Sequence, residues 1–296
     1  MTRLPLYSII IPTYNRAELL RRAINSVKRQ TFQDFEVIVI DNQSDDHTRK
    51  VIASFEDSRI TMLEINNGGI IAASRNLGIS WASGEWICFL DSDDWWYPRK
   101  LETVHRFLSE ADIIYHDLDV YDSSGKRYWK KVKGRQLSPP IFSSLMKSGN
   151  VMVTSSVVVR KQILEQVGGL DEDASIVASE DYDLCLRIAR ATERFTYIPR
   201  SLGAYWMGGG NMTEISERQI ERMEAVYRKH MAFLKEEDRQ DVVTIINYGR
   251  ARILQKMGHA MESAALFRET LRTRMLNIKI KSLYCLVISY LQGRCR

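Results

Sequence analysis

The sequence is poor in cysteine, has no apolar run long enough to cross a membrane, and carries no acid in its last twenty-five residues. The four cysteines, Cys88, Cys185, Cys285 and Cys295, form no CxxC pair and show no regular spacing. Cys88 and Cys185 lie inside apolar runs, where a free thiol behaves as a small hydrophobe, and a reducing compartment is the simpler reading. The first apolar stretch, Tyr7–Pro12, is short and is followed at once by Asn15, Arg16 and Glu18, so no leader peptide is expected. The longest C-terminal apolar run, Leu283–Leu291, falls well short of the roughly 20 residues that a spanning helix needs. The GxGxxG fingerprint is missing from the first strand–helix turn, which argues against an ordinary nicotinamide dehydrogenase. The acid-free tail holds Arg272, Arg274, Lys279, Lys281, Arg294 and Arg296. Without these six, 36 basic residues face 37 acidic ones, so the net charge of +5 belongs to the tail. A neutral main body argues against nucleic acid as a partner.

What the sequence does hold is 296 residues, 45% of them hydrophobic and 27% charged, enough for one large domain with an appendage. Tyr7–Ile11, Phe35–Ile40, Arg59–Ile65 and Trp86–Leu90 are short, β-branched and hardly alternating. They are predicted to be strands of a parallel sheet covered on both faces. Glu18–Arg29, Asp45–Phe55 and Ile70–Trp81 lie between them, each able to form a helix with one apolar stripe. Such alternation gives right-handed βαβ units and an α/β fold. Further on, Asp112–His116 and Ser155–Val159 are candidate strands, and Ser179–Ala191 a helix with Ser179 as its cap. Residues 117–138 and 170–178 read as polar loops. From Ser216 the chain reads as helical, at 216–236, 240–257, 260–272 and 276–292. Tyr248–Thr273 faintly resembles one tetratricopeptide-type hairpin, but one unit cannot stack into a solenoid.

In open α/β sheets the ligand sits beyond the carboxyl ends of the strands. Those ends here carry Pro12-Thr13-Tyr14-Asn15, Asp41-Asn42, Asn66-Asn67-Gly68-Gly69 and Asp91-Ser92-Asp93-Asp94. Carboxylates at i and i+2 after a buried strand suit a hard divalent cation, which would also neutralise phosphate oxygens on a leaving group. Acids at that place also make turns and caps, so an isolated DxD is ambiguous.

Taken in order, YSIIIPTYNR, FEVIVIDNQSDD, NNGGIIAASRNLGI and GEWICFLDSDD closely resemble the nucleotide-binding half of family 2 glycosyltransferases, which have the GT-A fold. The match covers residues 6–98 and resumes at 150–213. The resemblance implies an inverting hexosyl- or N-acetylhexosaminyltransferase of surface polysaccharide or O-antigen type, using a nucleotide diphosphate sugar, a UDP-sugar first. Pro12, Thr13 and Tyr14 would line the nucleoside pocket, and Asp41 would accept a hydrogen bond from the base. Arg75 would approach base and phosphates, Asp91 and Ser92 would lie near the ribose, and Asp93 would hold Mn2+ or Mg2+. Asp181, in the ED pair that opens a helix, would be the catalytic base, with Glu180 and Trp206 beside the acceptor. A first-turn carboxylate is favoured in its ionised form by the helix dipole, although acids there also serve that dipole alone.

The resemblance also implies a glycan or lipid-linked acceptor and a cytoplasmic enzyme at the inner face of the membrane. It divides the chain into a GT-A domain over 1–213 (nucleotide half 1–98, acceptor half 99–213) and a helical extension over 214–296. One departure stands out. Where the family often has a YR-x-HGGN segment, this chain reads Tyr205-Trp206-Met207-Gly208-Gly209-Gly210-Asn211, with Gly208 replacing a histidine able to bind metal. A sugar-phosphate nucleotidyltransferase is an alternative, but PTYNRAELL is not the Gly-rich basic loop it usually has. A non-catalytic nucleotide-sugar-binding scaffold is the other, supported by Gly208. Within 276–296, bases bracket the apolar run LYCLVISYL, which suits either peripheral contact with an anionic membrane or packing on the domain.

Overall fold

A computed structural model describes residues 4–208 and 216–294. Gly209, Gly210 and Asn211 of the departing segment lie outside the described residues, as do Cys295 and Arg296. The first part of the chain runs β1 (Tyr7–Thr13), α1 (Ala17–Lys28), β2 (Phe35–Asp41), α2 (Thr48–Ala53), β3 (Ile60–Glu64), α3 (Ile71–Trp81) and β4 (Trp86–Phe89). After it come β5 (Trp95–Trp96), α4 (Lys100–His105), β6 (Ile113–Asp122), β7 (Arg127–Val132), α5 (Ile141–Ser148), β8 (Val158–Arg160), α6 (Lys161–Gln166), α7 (Glu180–Ala191) and β9 (Phe195–Met207). The helices α8 (Glu217–His230), α9 (Glu236–Met257), α10 (Ala260–Thr270) and α11 (Leu276–Arg294) close the chain.

The strands form one sheet in the order β3-β2-β1-β4-β8-β6-β9-β5, with β7 added on β6. Strands β1 to β4 are parallel, as the uniformly apolar runs predict, and β8 enters antiparallel to β4 and β6. Alternate side chains of β1 feed two cores. Ile9 and Ile11 pack with Leu20, Ile24 and Val27 of α1, while Ile10 packs with Ile38, Ile40 and Ile79 beneath α3. Gly78 lets α3 settle that closely, since a Cβ there would lie 2.7 Å from Ile10 Cγ2 and 2.9 Å from Ile40 Cδ1.

Four local expectations change. Helix α2 is shorter than Asp45–Phe55 because Asp46 is used up outside it. Its carboxylate accepts from Thr48 N at 2.9 Å and Ala17 N at 3.1 Å, tying the starts of two helices together. Most of the polar stretch 117–138 is a strand pair and not a loop. Two of its acids are buried and satisfied: Asp117 accepts from Tyr197 Oη at 2.6 Å and Gly134 N at 3.0 Å, and Asp119 from Tyr97 Oη at 2.8 Å and Ser201 Oγ at 2.7 Å. The polar inward positions hid the strand pattern. The partner of β6, the long β9, went unanticipated because Pro199, Arg200 and Ser201 interrupt its apolar run. Ser179 precedes α7 but makes no side-chain capping bond.

Helices α8 and α9 are not loosely appended. Val226, Tyr227, Val242 and Ile245 belong to the same core cluster as Ile10, Phe89 and Leu186. His230 and Lys229 meet Asp183 of α7 at 2.9 Å and 2.7 Å. A smaller cluster, Ala251, Ala264, Phe267, Cys285 and Leu286, holds α9, α10 and α11 together. The α9–α10 hairpin turns at Gly258, whose φ of 85° is the left-handed region that glycine enters without strain.

Candidate active site

Beyond the carboxyl ends of β1, β2 and β4 opens a cleft of about 640 Å³. Pro12, Thr13, Tyr14, Arg75, Asp91, Ser92, Asp93, Glu180 and Asp181 all line it. Residues predicted from both halves of the sequence are therefore brought to one cavity. Tyr14 stands at its mouth, 55% exposed, while Thr13 and Ser92 are buried in its wall.

The Asp91–Asp94 turn is built by the end of β4. Asp94 N donates to Asp91 O at 3.0 Å, and Asp91 N donates to the buried Ser155 Oγ at 3.0 Å. Asp93 pairs with Arg16, and its backbone carbonyl accepts from Arg22 Nη2 at 2.5 Å. Burial, together with the charge on Asp91, raises the Asp93 carboxyl above the usual carboxylate range despite Arg16. Asp94 is raised further, by burial and by Asp93 and Asp91. Arg16, Arg22 and Arg75 face this turn, so its three acids are held among three guanidinium groups.

Arg75 ties the two walls together. From α3 its Nη2 reaches Asp91 Oδ1 at 2.9 Å and its Nη1 reaches Glu180 Oε1 at 2.6 Å. Burial would depress the guanidinium pKa, but Asp91, Glu180 and Asp181 outweigh that and raise it. This pairing makes Arg75 a brace of the cleft, with its fork spent on carboxylates.

Asp181 faces the turn from the first turn of α7. Its Oδ2 accepts from Asn150 Nδ2 at 3.1 Å and Thr154 Oγ1 at 3.2 Å, and its Oδ1 from Tyr182 N at 2.7 Å. Burial first, then the neighbouring Glu180, push its pKa up to about 6, with Arg75 pulling the other way. A carboxylate poised there is ionised at neutral pH and still basic enough to take a proton.

Two expected residues sit differently. Asp41 ends β2 with its carboxyl fully covered, outside the cleft lining. Its Oδ1 accepts from Ser44 N at 3.1 Å and Ser44 Oγ at 2.5 Å, and Arg49 Nε stands 3.8 Å from Oδ2. Trp206 also stays off the cleft wall. Its backbone N–H donates to Asp94 Oδ1 at 2.9 Å, and its ring lies 5.6 Å from the Arg22 guanidinium. Strand alternation presents Tyr205 to the cleft instead. A Cβ on Gly208 would fall 1.7 Å from the Trp206 ring, so the two departures from the family pattern occupy one space.

Sequence reasoning missed Arg16, Asn150, Thr154 and Tyr205 as cleft residues. Arg16 was visible in PTYNR, directly after Tyr14. Asn150 and Thr154 gave no local signal, because their segment reaches Asp181 through the antiparallel pairing of the following β8 with β4.

As to a metal, no group of three His, Cys, Asp or Glu side chains able to hold one occurs among the described residues. Asp91 and Asp93 nonetheless fit a cation that takes one or two carboxylates and fills its remaining positions with phosphate oxygens and water. An ion there would add to the positive charge that Arg16 and Arg75 already bring to these two carboxylates.

Parallel strands ending in a carboxylate turn, with an acid on the opposite wall across one cleft, define a GT-A transferase fold. Residues 8–168, more than half of the chain, match the family model Glycosyl transferase family 2. The chain belongs to that family and is a glycosyltransferase. Among its relatives, the UDP-Glc:alpha-D-GlcNAc-diphosphoundecaprenol beta-1,3-glucosyltransferase WfgD of Escherichia coli is 43% identical over 189 residues, covering 62% of this chain and 70% of that protein. An uncharacterized glycosyltransferase of Nostoc is 34% identical over 174 residues; the match covers 55% of this chain and only about half, 53%, of that protein. The structure of S. aureus TarS 1–349 with UDP-GlcNAc shares the fold, with a TM-score of 0.68 at 16% identity over 96% of this chain and 89% of that one. So does the mannosyltransferase PcManGT from Pyrobaculum calidifontis with GDP-Man and Mn2+, with a TM-score of 0.64 at 16% identity over 98% and 81% of the two chains.

Proposed function

We propose that this chain transfers a sugar, with inversion, from a nucleoside diphosphate donor to an acceptor hydroxyl in polysaccharide assembly. The observation that carries the proposal is Asp181 with its pKa near 6, across one cleft from the Asp91–Asp94 turn. In a single displacement, the acceptor oxygen attacks the anomeric carbon as the bond to the diphosphate oxygen breaks. Asp181 takes the acceptor proton, and Asn150 and Thr154 hold its carboxylate in place. Thr13, Tyr14 and Ser92 would hold the nucleoside, and Arg16 stands beside Asp93 where the diphosphate would arrive. A divalent ion held by Asp93 and Asp91 would supply charge neutralisation for the leaving diphosphate.

UDP is the first nucleotide to test, because WfgD uses UDP-Glc and TarS is described with UDP-GlcNAc. Manganese is the first metal, since PcManGT carries Mn2+ beside GDP-Man. A lipid-linked diphosphate acceptor, the kind named for WfgD, would put the enzyme at the inner face of the cytoplasmic membrane.

Calorimetric titration with UDP, with and without manganese, tests the reading. The expected result is metal-dependent binding that Asp93→Ala weakens and Asp181→Asn leaves intact, while Asp181→Asn abolishes transfer. Full transfer by Asp181→Asn would overturn the base assignment. A donor that binds but is never consumed would instead favour a non-catalytic binding protein.

A further inference from the structure

The outer face of α11 is built the wrong way round for water. At about 100° per residue, Leu276, Ile280, Leu283, Tyr284, Val287 and Leu291 fall on one arc, and each is more than half exposed. The opposite arc packs inward through Ile278, Ser282, Cys285, Leu286 and Ser289. Its polar members are satisfied internally. Ser282 Oγ accepts from Thr270 Oγ1 at 2.7 Å, and Ser289 Oγ accepts from Gln255 Nε2 at 2.7 Å and meets Ser263 Oγ at 2.9 Å. These bonds fix the rotation of the helix, so the large apolar side chains are held outward and cannot roll inward. A contiguous apolar strip of that kind marks a surface that something covers.

We infer that this arc is an in-plane membrane contact that lies in the headgroup region of an anionic bilayer. The charge pattern selects that occupant. On the same helical wheel Lys279 and Lys281 lie on opposite sides of the apolar arc, both exposed, and neither has an ion-pair partner among the described residues. No acid occurs anywhere in 272–296. Anionic lipid complements such a rim, and long basic side chains reach headgroups while their stems stay apolar. A second copy of the chain would bring two basic rims together across a two-fold axis, which repels. Among the described residues no helix is long and apolar enough to cross a membrane, so the contact is along the surface. The inference stands on α11 alone and does not depend on the donor reading.

Co-sedimentation of the full chain with phosphatidylcholine vesicles, with and without phosphatidylglycerol, is the test. The wild type is expected to bind the anionic vesicles, and L283E/V287E to lose at least about tenfold in partition, a charge within the apolar arc being costly. K279Q/K281Q should lose roughly 30-fold on anionic vesicles, from about 1 kcal/mol per base. Because Leu283 and Val287 are exposed, L283E/V287E should keep the wild-type circular dichroism and UDP titration, separating loss of contact from loss of fold. Equal vesicle binding by wild type and L283E/V287E would overturn the inference. So would a wild type that ignores vesicles but forms a dimer that L283E/V287E breaks, since a second copy would then cover the face. Failure of UDP to bind the wild type would sink the donor reading and leave this one standing.

Discussion

Replacing Asp181 by asparagine should destroy transfer and stabilise the protein, and the two effects share one cause. In the fold the Asp181 pKa rises from 3.8 to about 6. An acid whose native pKa is raised holds its proton more tightly when folded, so its ionisation costs stability. That cost is absent below about pH 4, grows as pH rises through 6, and is complete above it. A shift of about two units corresponds to about 3 kcal/mol at 1.36 kcal/mol per unit. Asparagine escapes the cost but gives up part of the contact to Asn150, Thr154 and Tyr182, and one lost hydrogen bond takes back about 1 kcal/mol. A net gain of roughly 1–2 kcal/mol at pH 7.5 remains.

Urea denaturation of wild type and Asp181→Asn at pH 7.5 and near pH 4 reads that gain and its disappearance. Activity runs the opposite way. The wild-type kcat/KM should climb tenfold per pH unit up to about 6 and level off above it, as expected for a base that must be ionised. The variant should lose about 10²–10⁴-fold at the plateau. A variant less stable than wild type at pH 7.5, or a wild-type rate flat from pH 5 to 8, would refute the reasoning.

Arg75→Met should destabilise by about 3 kcal/mol in the same denaturation assay, because it leaves the buried Glu180 and the partly exposed Asp91 without their shared cation. Arg75→Lys should rescue little, since one ammonium cannot span both carboxylates as the fork does. Gly208→His alone should add no manganese affinity by calorimetry, because the Trp206 ring fills the space that its Cβ needs. Pairing it with Trp206→Arg should let the histidine in, and a gain in the single variant would show that the two positions are independent. Cutting the chain after residue 213 should leave an aggregating fragment by light scattering, since it uncovers the core that Val226, Tyr227, Val242 and Ile245 complete. Cutting after Gly258 removes mainly the small cluster around Phe267 and should leave UDP binding in place.

The first four strands were legible because their signal is local. Each apolar run of β1, β2 and β4 ends in the polar residues that the cleft uses, and the parallel topology guarantees that those ends meet. Asp181 was singled out through the resemblance, by the ED pair that opens a helix; a first-turn acid pair alone also serves the helix dipole. What escaped reading was held by contacts distant in the chain. Asp117 and Asp119 looked like loop residues because their partners, Tyr197 and Ser201, lie some eighty positions away on a strand that the sequence concealed. Asn150 and Thr154 become neighbours of Asp181 only through the pairing of β8 with β4 in the sheet.

Helix α11 makes the same point about faces. Its sequence allowed either packing on the domain or contact with a membrane, as if one apolar face had to serve one purpose. The helix has two. Ile278, Cys285 and Leu286 anchor it inward, and small serines fill the remaining inward positions through hydrogen bonds to Thr270, Gln255 and Ser263. With packing assigned to that side, the larger apolar residues on the other have no intramolecular work left. Periodicity cannot separate the two sides of a helix that is apolar on both, because it measures contrast and here there is little. The serine network separates them, since it fixes which side turns inward.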